Sequence, residues 1–313
     1  MNCLPHLARF VCLNSAVRLV ALACSLGLLG CGKPTEAKRP DSGVRVTEFA
    51  TNVIAYQVRG ILREIRSGGA KALIAHEEIP GYMEAMTMQL DARDTNELSG
   101  VSVGDQITFR LLTTEDDAWI DRVKRTGLRF TVESSAANDE PGDDELPLGS
   151  PLPDFGLTNQ FGRAFRLSDF KGRALAFTFI FTRCPLPTFC PRMSGNFSIT
   201  HRRLLEDTSQ TNWHLISISF DSDYDTPGEL AKYARSYQPD SNHWSFATSS
   251  ADIIHQLGGN FGLTFVREGA TFNHNVRTVV VDTAGRIQKV FAGNEWQPAE
   301  LIAEMKAAMR TGP

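Results

Sequence analysis

What this chain has little of narrows it first. Across 313 residues the formal net charge is only −4, so no basic excess exists to draw it to nucleic acid or to an anionic membrane surface. No period of 20–50 residues recurs, which argues against a solenoid or propeller. There is no glycine-rich phosphate loop, no HExxH helix and no GxSxG elbow, the motifs of nucleotide binding, zinc proteolysis and serine hydrolysis. Cysteine is scarce where it could build a framework: of six, Cys3, Cys12, Cys24 and Cys31 crowd into the first 31 residues, leaving only Cys184 and Cys190. The apolar run "LVALACSLGLLG" before Cys31 is too short to cross a bilayer comfortably.

That run follows Arg9 and Arg18 and ends in "LLGC", with Gly30 directly before Cys31. It resembles a bacterial lipoprotein signal, which implies removal of residues 1–30, lipidation of Cys31 and a membrane anchor on the periplasmic side of the envelope. "ALAC", ending at Cys24, is a competing site. Residues 31–47 then read as a polar tether. A second linker, acidic and rich in Pro, Gly and Ser, covers 133–149 and is too poor in apolar residues to build a core.

Between them, residues 48–132 hold five short strand candidates, "AYQVRGILREI", "AKALIAHEEI", "AMTMQL", "QITFRLLTT" and "AWIDRVKR". Five strands in so short a span predict an all-β, OB-like small barrel. Residues 150–313 alternate instead. "ALAFTFIF" is a continuous apolar run, as a strand buried on both faces requires. After it come a helix over about 193–205, the strand "WHLISISF", helices at "TPGELAKYARSY" and "SADIIHQLGGNF", a hairpin turning at "DTAG" and a final amphipathic helix. This order predicts an α/β, thioredoxin-like sandwich. Asp221, Asp223 and Asp225 in "DSDYDTP" look like a metal cluster, but read better as a strand end and a helix cap.

Cys184 and Cys190 stand with five residues between them, in "FTRCPLPTFCPRM". On a helix that spacing points the thiols apart, and Pro185 and Pro187 forbid the helix in any case. The spacer must be a loop, which can fold the sulfurs together. Pro191 suits a first helical position, so Cys190 is expected at the N-cap, where the helix dipole favours a thiolate. Two soft thiolates so placed make a Cu(I) site or a reducible disulfide, and a purely structural staple over so short a loop gains little. His274, in "FNHNVRTVVVD", precedes the strand of the final hairpin, on a loop that faces the cysteines in a thioredoxin sandwich. No proline stands there, and Arg277 precedes Thr278, which argues against ordinary dithiol exchange.

"FTRCP…FCP", "SISFDSDYDTPGELAKYA" and His274 ahead of "VVVDTAGRI" together resemble the SCO/SenC family of thioredoxin-fold copper proteins, over about residues 148–310. The resemblance implies copper held by Cys184, Cys190 and His274, and a role in assembling the copper centre of cytochrome c oxidase. The family's usual spacer is three residues rather than five, which bears on the balance between metal binding and a reversible Cys184–Cys190 disulfide.

The other soft cluster is "AHEEIPGYMEAMTMQL". Three of the six methionines after Met1, namely Met83, Met86 and Met88, fall within six residues, and His76 ends the strand before them. Met86 and Met88 are two apart on a strand and share a face. An imidazole with two or three thioethers is a soft, uncharged donor set suited to Cu(I); methionines packing a small barrel's interior are the plain alternative. The segment over about 54–126 resembles the CusF type of periplasmic copper-binding barrel. There Met86, Met88 and His76 match the ligands, and Met83 stands where a capping tryptophan would be, leaving a third thioether or Tyr82 to cap the metal.

Together the two clusters imply a lipid-anchored periplasmic copper metallochaperone, carrying Cu(I) and as a second state Cu(II). Its partner would be the copper-bearing oxidase subunit or another acceptor. Within the chain the ion would pass from thioethers to the stronger, charged thiolates across a flexible linker. The open alternative is an enzyme, a thiol–disulfide oxidoreductase acting through Cys184 and Cys190 on a copper acceptor.

Overall fold

A computed structural model describes residues 52–132 and 145–310. The signal and lipidation site expected at 1–31, the tether at 31–47 and the linker as far as 144 lie outside the described residues. Among the described residues, no helix is long and apolar enough to cross a membrane.

The smaller body is all β: β1 (Ile54–Arg66), β2 (Lys71–His76), β3 (Met86–Asp91), β4 (Asp105–Thr113) and β5 (Ala118–Arg129). They form one antiparallel sheet in the order β3-β2-β1-β4-β5. Its two edges meet through a single bridge between Ala92 and Ile120, which curls the sheet into an OB-like form without a full closing ladder. The period of two read in the sequence is the period of burial: Met86, Met88 and Leu90 face inward and Thr87, Gln89 and Asp91 do not. The β1–β2 turn places Ser67, Gly68 and Gly69 at positive φ, conformations that glycine adopts without strain.

The larger body comprises β6 (Gly156–Asn159), β7 (Ala164–Arg166), β8 (Ala174–Ile180), α1 (Cys190–Glu206), β9 (Trp213–Ser219), α2 (Pro227–Arg235), β10 (Trp244–Thr248), α3 (Ala251–Gly259), β11 (Phe265–Glu268), β12 (Thr271–His274), β13 (Arg277–Val281), β14 (Ile287–Ala292) and α4 (Pro298–Arg310). Seven strands run β14-β13-β8-β9-β10-β6-β7, with β8, β9 and β10 parallel. Every residue of β8, β9 and β10 is buried, which is why β8 reads as a continuous apolar run. This is the α/β thioredoxin-like fold. Thr226 caps α2, accepting from the Glu229 amide, with Pro227 beginning the helix.

Four features differ from the sequence reading. α1 opens at Cys190 itself, with Phe189 as its N-cap residue, because the Leu186–Phe189 turn already points into the helix. β10 and the β6–β7 hairpin were not expected. Nor was the two-stranded ribbon of β11 and β12, paired from Phe265–His274 to Glu268–Thr271 around Gly269 at positive φ. Finally, residues 145–149 are not free linker: the Leu146 amide donates to Asn260 O and the Gly149 amide to Ile287 O, pinning this stretch to the larger body.

The ribbon lies against β3, and the two bodies exchange carboxylates there. Glu268 accepts from the Thr87 amide (2.5 Å), and Glu84 accepts from the Ala270 amide (2.9 Å). The Thr87 amide lies on an edge strand, where such a group otherwise lacks a partner. Tyr82 Oη donates to Pro185 O (3.1 Å) while its ring stacks on Tyr56 at 4.5 Å. Lys71–Glu295 (2.6 Å) and Arg192–Asp117 (3.3 Å) add two ion pairs.

Candidate metal centre

The cysteine loop leaves the C-terminal end of β8, the end at which open α/β sheets place their sites. Its five-residue spacer folds inward. Leu186, Thr188 and Phe189 are buried, Asn294 donates to Thr188 O (2.7 Å), and the Arg192 amide donates to Pro187 O (3.0 Å). The added length is thus absorbed as packing and does not push the sulfurs apart. Cys184, Cys190 and His274 each offer a ligand atom, and these atoms all lie within 4.8 Å of one another. Both cysteines are free thiols, Cys190 buried and Cys184 partly exposed.

The aspartates that the sequence left as a strand end and cap hold this loop. Asp225, fully buried, accepts from the Thr182 amide (2.9 Å), from the Thr182 hydroxyl and from the Ser219 hydroxyl. Asp221, also fully buried, pairs with Arg183 (2.6 Å) and Arg267 (2.8 Å). Arg183 in turn lies over the Tyr224 ring at 3.9 Å. Residues 182 and 183, immediately before Cys184, are thereby tied to the end of β9. The sequence signal was present: Thr-Arg before the first cysteine and paired aspartates after β9 are complementary charges and donors.

The electrostatics reverse the expectation for the helix start. Burial pushes the Cys190 thiol well up, and the neighbouring Cys184 sulfur raises it further; the Phe181 amide (3.4 Å) offsets this in part. Burial opposes the charge on Cys184 too, but hydrogen bonds from Cys190 and His274 outweigh it and bring Cys184 down to about 5. The pair therefore carries its first negative charge on Cys184, the more accessible sulfur, and not on the cysteine at the helix start.

His274 ends β12, not a loop. Its Nδ1 sits 2.7 Å from Asn275 O. A carbonyl only accepts, so Nδ1 carries a proton, and Nε2 is the ring nitrogen that remains to interact with the thiol pair or with a metal. Phe181, Phe189 and Phe220 surround the ring with centroids at 5.6, 5.6 and 5.1 Å, which fixes its orientation.

On the smaller body, His76 pairs directly with Met86, and Ile74 with Met88, across the β2–β3 ladder. His76 repeats the arrangement of His274: its Nδ1 lies 2.6 Å from the carbonyl of the next residue, Glu77, and its buried Nε2 has no hydrogen-bond partner. An imidazole held through one nitrogen with the other left free is the second-shell arrangement of a metal ligand. Burial also lowers its pKa, which keeps the ring neutral. Gly60 stands opposite His76 on β1, where a Cβ would meet Ile74 Cγ2 at 2.6 Å and Ala75 O at 2.8 Å. The close approach of β2 at this point requires glycine. Met83 is buried and bridges to Ile79. Tyr82 is committed to Tyr56 and Pro185.

Two cysteines and a histidine of matched softness, at the strand end of a thioredoxin-like sheet, define a thioredoxin-fold protein with a soft-metal or redox centre. The SCO1/SenC family model matches residues 147–310, just over half of the chain. The chain belongs to that family. Residues 55–125 match a second model, described as copper binding periplasmic protein CusF. The SCO1 protein homolog of Bacillus subtilis is 27% identical over 167 residues, 52% of this chain and 84% of that protein. Among solved structures, BsSco, a member of the Sco family of cytochrome c oxidase assembly proteins in which a disulfide switch was identified, is 27% identical, with 53% of this chain and 98% of that chain covered and a TM-score of 0.46. The copper-bound ScoI of Bradyrhizobium japonicum is 24% identical, with 51% and 99% covered and a TM-score of 0.43.

Proposed function

We propose that this chain is a copper metallochaperone, anchored by lipid at Cys31 on the periplasmic side of the envelope. In this reading Cys184, Cys190 and His274 hold Cu(I) on the larger body. His76, Met86 and Met88, with Met83 beside them, hold it on the smaller one. Delivery goes to the copper-bearing subunit of cytochrome c oxidase or to another acceptor. The carrying observation is the convergence of two sulfurs and one imidazole within 4.8 Å, supported by a second soft set whose histidine is prepared in the same way. The donors fit Cu(I): all are soft or borderline, and none is a carboxylate.

The test is an anaerobic titration of the reduced protein with Cu(I) against a chromogenic chelator. Two tight equivalents are expected, with the tighter one absent in Cys184→Ser/Cys190→Ser. If both tight equivalents persist without the thiols, the reading fails.

One observation favours a second reading, a thiol–disulfide oxidoreductase: an accessible low-pKa Cys184 beside a buried, high-pKa Cys190 is the pairing of an attacking and a resolving thiol. Undiminished turnover of a disulfide substrate by His274→Ala, together with weak Cu(I) binding by the parent, would select it.

A further inference from the structure

The two donor sets do not lie on separate surfaces. Met86 and Met88 from β3 line the same narrow cleft as Cys184 and His274, closed by Phe181 and Phe272. Its volume is about 20 Å³, close to what a single water needs, so it has room for one ion and excludes a peptide or a small organic ligand. Met86 Sδ already faces the larger body, accepting from Thr271 Oγ1 at 3.5 Å, on the strand that ends at His274. His76, with Nε2 buried and unpartnered, lies directly across the ladder from Met86.

We propose that the cleft is a bridging Cu(I) site, in which a thioether of Met86 or Met88 and the Cys184–His274 pair hold one ion between the two bodies. The proposal rests on the Cu(I)-binding reading above and deepens it, replacing a hand-off through solvent with ligand exchange at a shared position. The exchange is redox-neutral: copper stays Cu(I), a neutral thioether leaves as the Cys184 sulfur arrives, and any thiol proton passes to buffer. The apolar walls keep water from competing as a ligand during the step. The reciprocal Glu84 and Glu268 carboxylates, each bound to a backbone amide of the other body, hold the two donor sets in register.

The experiment uses the full, reduced chain labelled with selenomethionine and loaded with one equivalent of Cu(I). X-ray absorption is recorded at the copper and selenium edges, alongside chelator competition. Thiolates outcompete thioethers for Cu(I), so independent sites would put the first ion wholly on the cysteines. The bridging site instead gives sulfur and selenium neighbours around that first ion. It also weakens the tightest equivalent at least about tenfold in Met86→Leu/Met88→Leu, or about 1.4 kcal/mol. Glu84→Ala/Glu268→Ala, which removes no ligand, should lose the selenium neighbour as well. Two tight equivalents with no selenium around the first, and no change in it on losing both methionines, would overturn the bridging site while leaving the copper-binding reading intact. The absence of any tight equivalent in the parent would overturn both.

Discussion

At Cys184, Cys190 and His274 the donors come from three parts of the fold: a loop, the first residue of a helix and the end of a ribbon. At His76, Met86 and Met88 they come from two neighbouring strands of one meander. The first set is assembled by polar anchorage, through Asp221, Asp225 and Asn294. The second is set within one sheet by ladder register, with Gly60 giving β2 room to approach. A loop site must be tied down from outside, because a loop makes no ladder of its own; a strand site inherits its geometry from the sheet. Both nonetheless prepare the histidine by the same device, an Nδ1–H bound to the carbonyl of the following residue.

The sharpest way to break this contrast is Asp225→Ala. It removes a fully buried acceptor from the Thr182 amide and from the Thr182 and Ser219 hydroxyls, at about 1–3 kcal/mol for each buried group left unsatisfied. Urea unfolding should show the loss, and Cu(I) affinity at the thiolate site should fall while the smaller body's equivalent persists. Equal loss at both sites would show that the anchorage is not local.

Gly60→Ala is the reciprocal test. Overpacking against Ile74 and the Ala75 carbonyl costs about 1–3 kcal/mol and displaces the His76 end of β2. The expected result is weaker binding at the thioether set, with alkylation kinetics at Cys184 unchanged.

The charge difference between the cysteines can be read from pH. Cys184 has a folded pKa of about 5, depressed from 9.0. The stabilisation linked to this charge is present above the unfolded value and is lost as pH falls through about 5. In the metal-free reduced protein, Cys184 alkylation should therefore show a midpoint near pH 5, with Cys190 lagging far behind. A midpoint near 9 for both thiols would remove the asymmetry. The smallest expected effect is that of Tyr82→Phe, which deletes the phenolic hydroxyl with its hydrogen bond to Pro185 O and its contact with Thr113. Thermal unfolding should register about 0.5–1.5 kcal/mol, with the Cu(I) stoichiometry unchanged.

The five strands of the smaller body and the buried strand β8 were legible because their apolar spacing is the spacing of their burial. The cap at Thr226 was legible from the Thr-Pro pair. The β11–β12 ribbon was not, because β11 has no fully buried position and so no alternation to read; only the Glu268-Gly269 turn marked it. The aspartates of "DSDYDTP" read as a strand end and a helix cap, and their role in fixing Thr182 and Arg183 crosses some forty residues of chain and leaves no local pattern. Cys190 illustrates the same limit. Pro191 placed it within one residue of its position at the helix start, while its burial, which sets its charge, depends on what packs over it.

By itself, then, the sequence determined which atoms are available and how soft they are: two thiols, two histidines and a methionine cluster, each on a local element whose periodicity or turn chemistry is written nearby. Tertiary structure decided which cysteine carries the charge, which carboxylates brace the loop, and that the thioethers open onto the same cleft as the thiolate and imidazole. Those outcomes depend on desolvation and on distances between residues about forty to a hundred positions apart, from Arg183 to Asp221 and from Met86 to Cys184 to His274, and such distances exist only once the chain has packed.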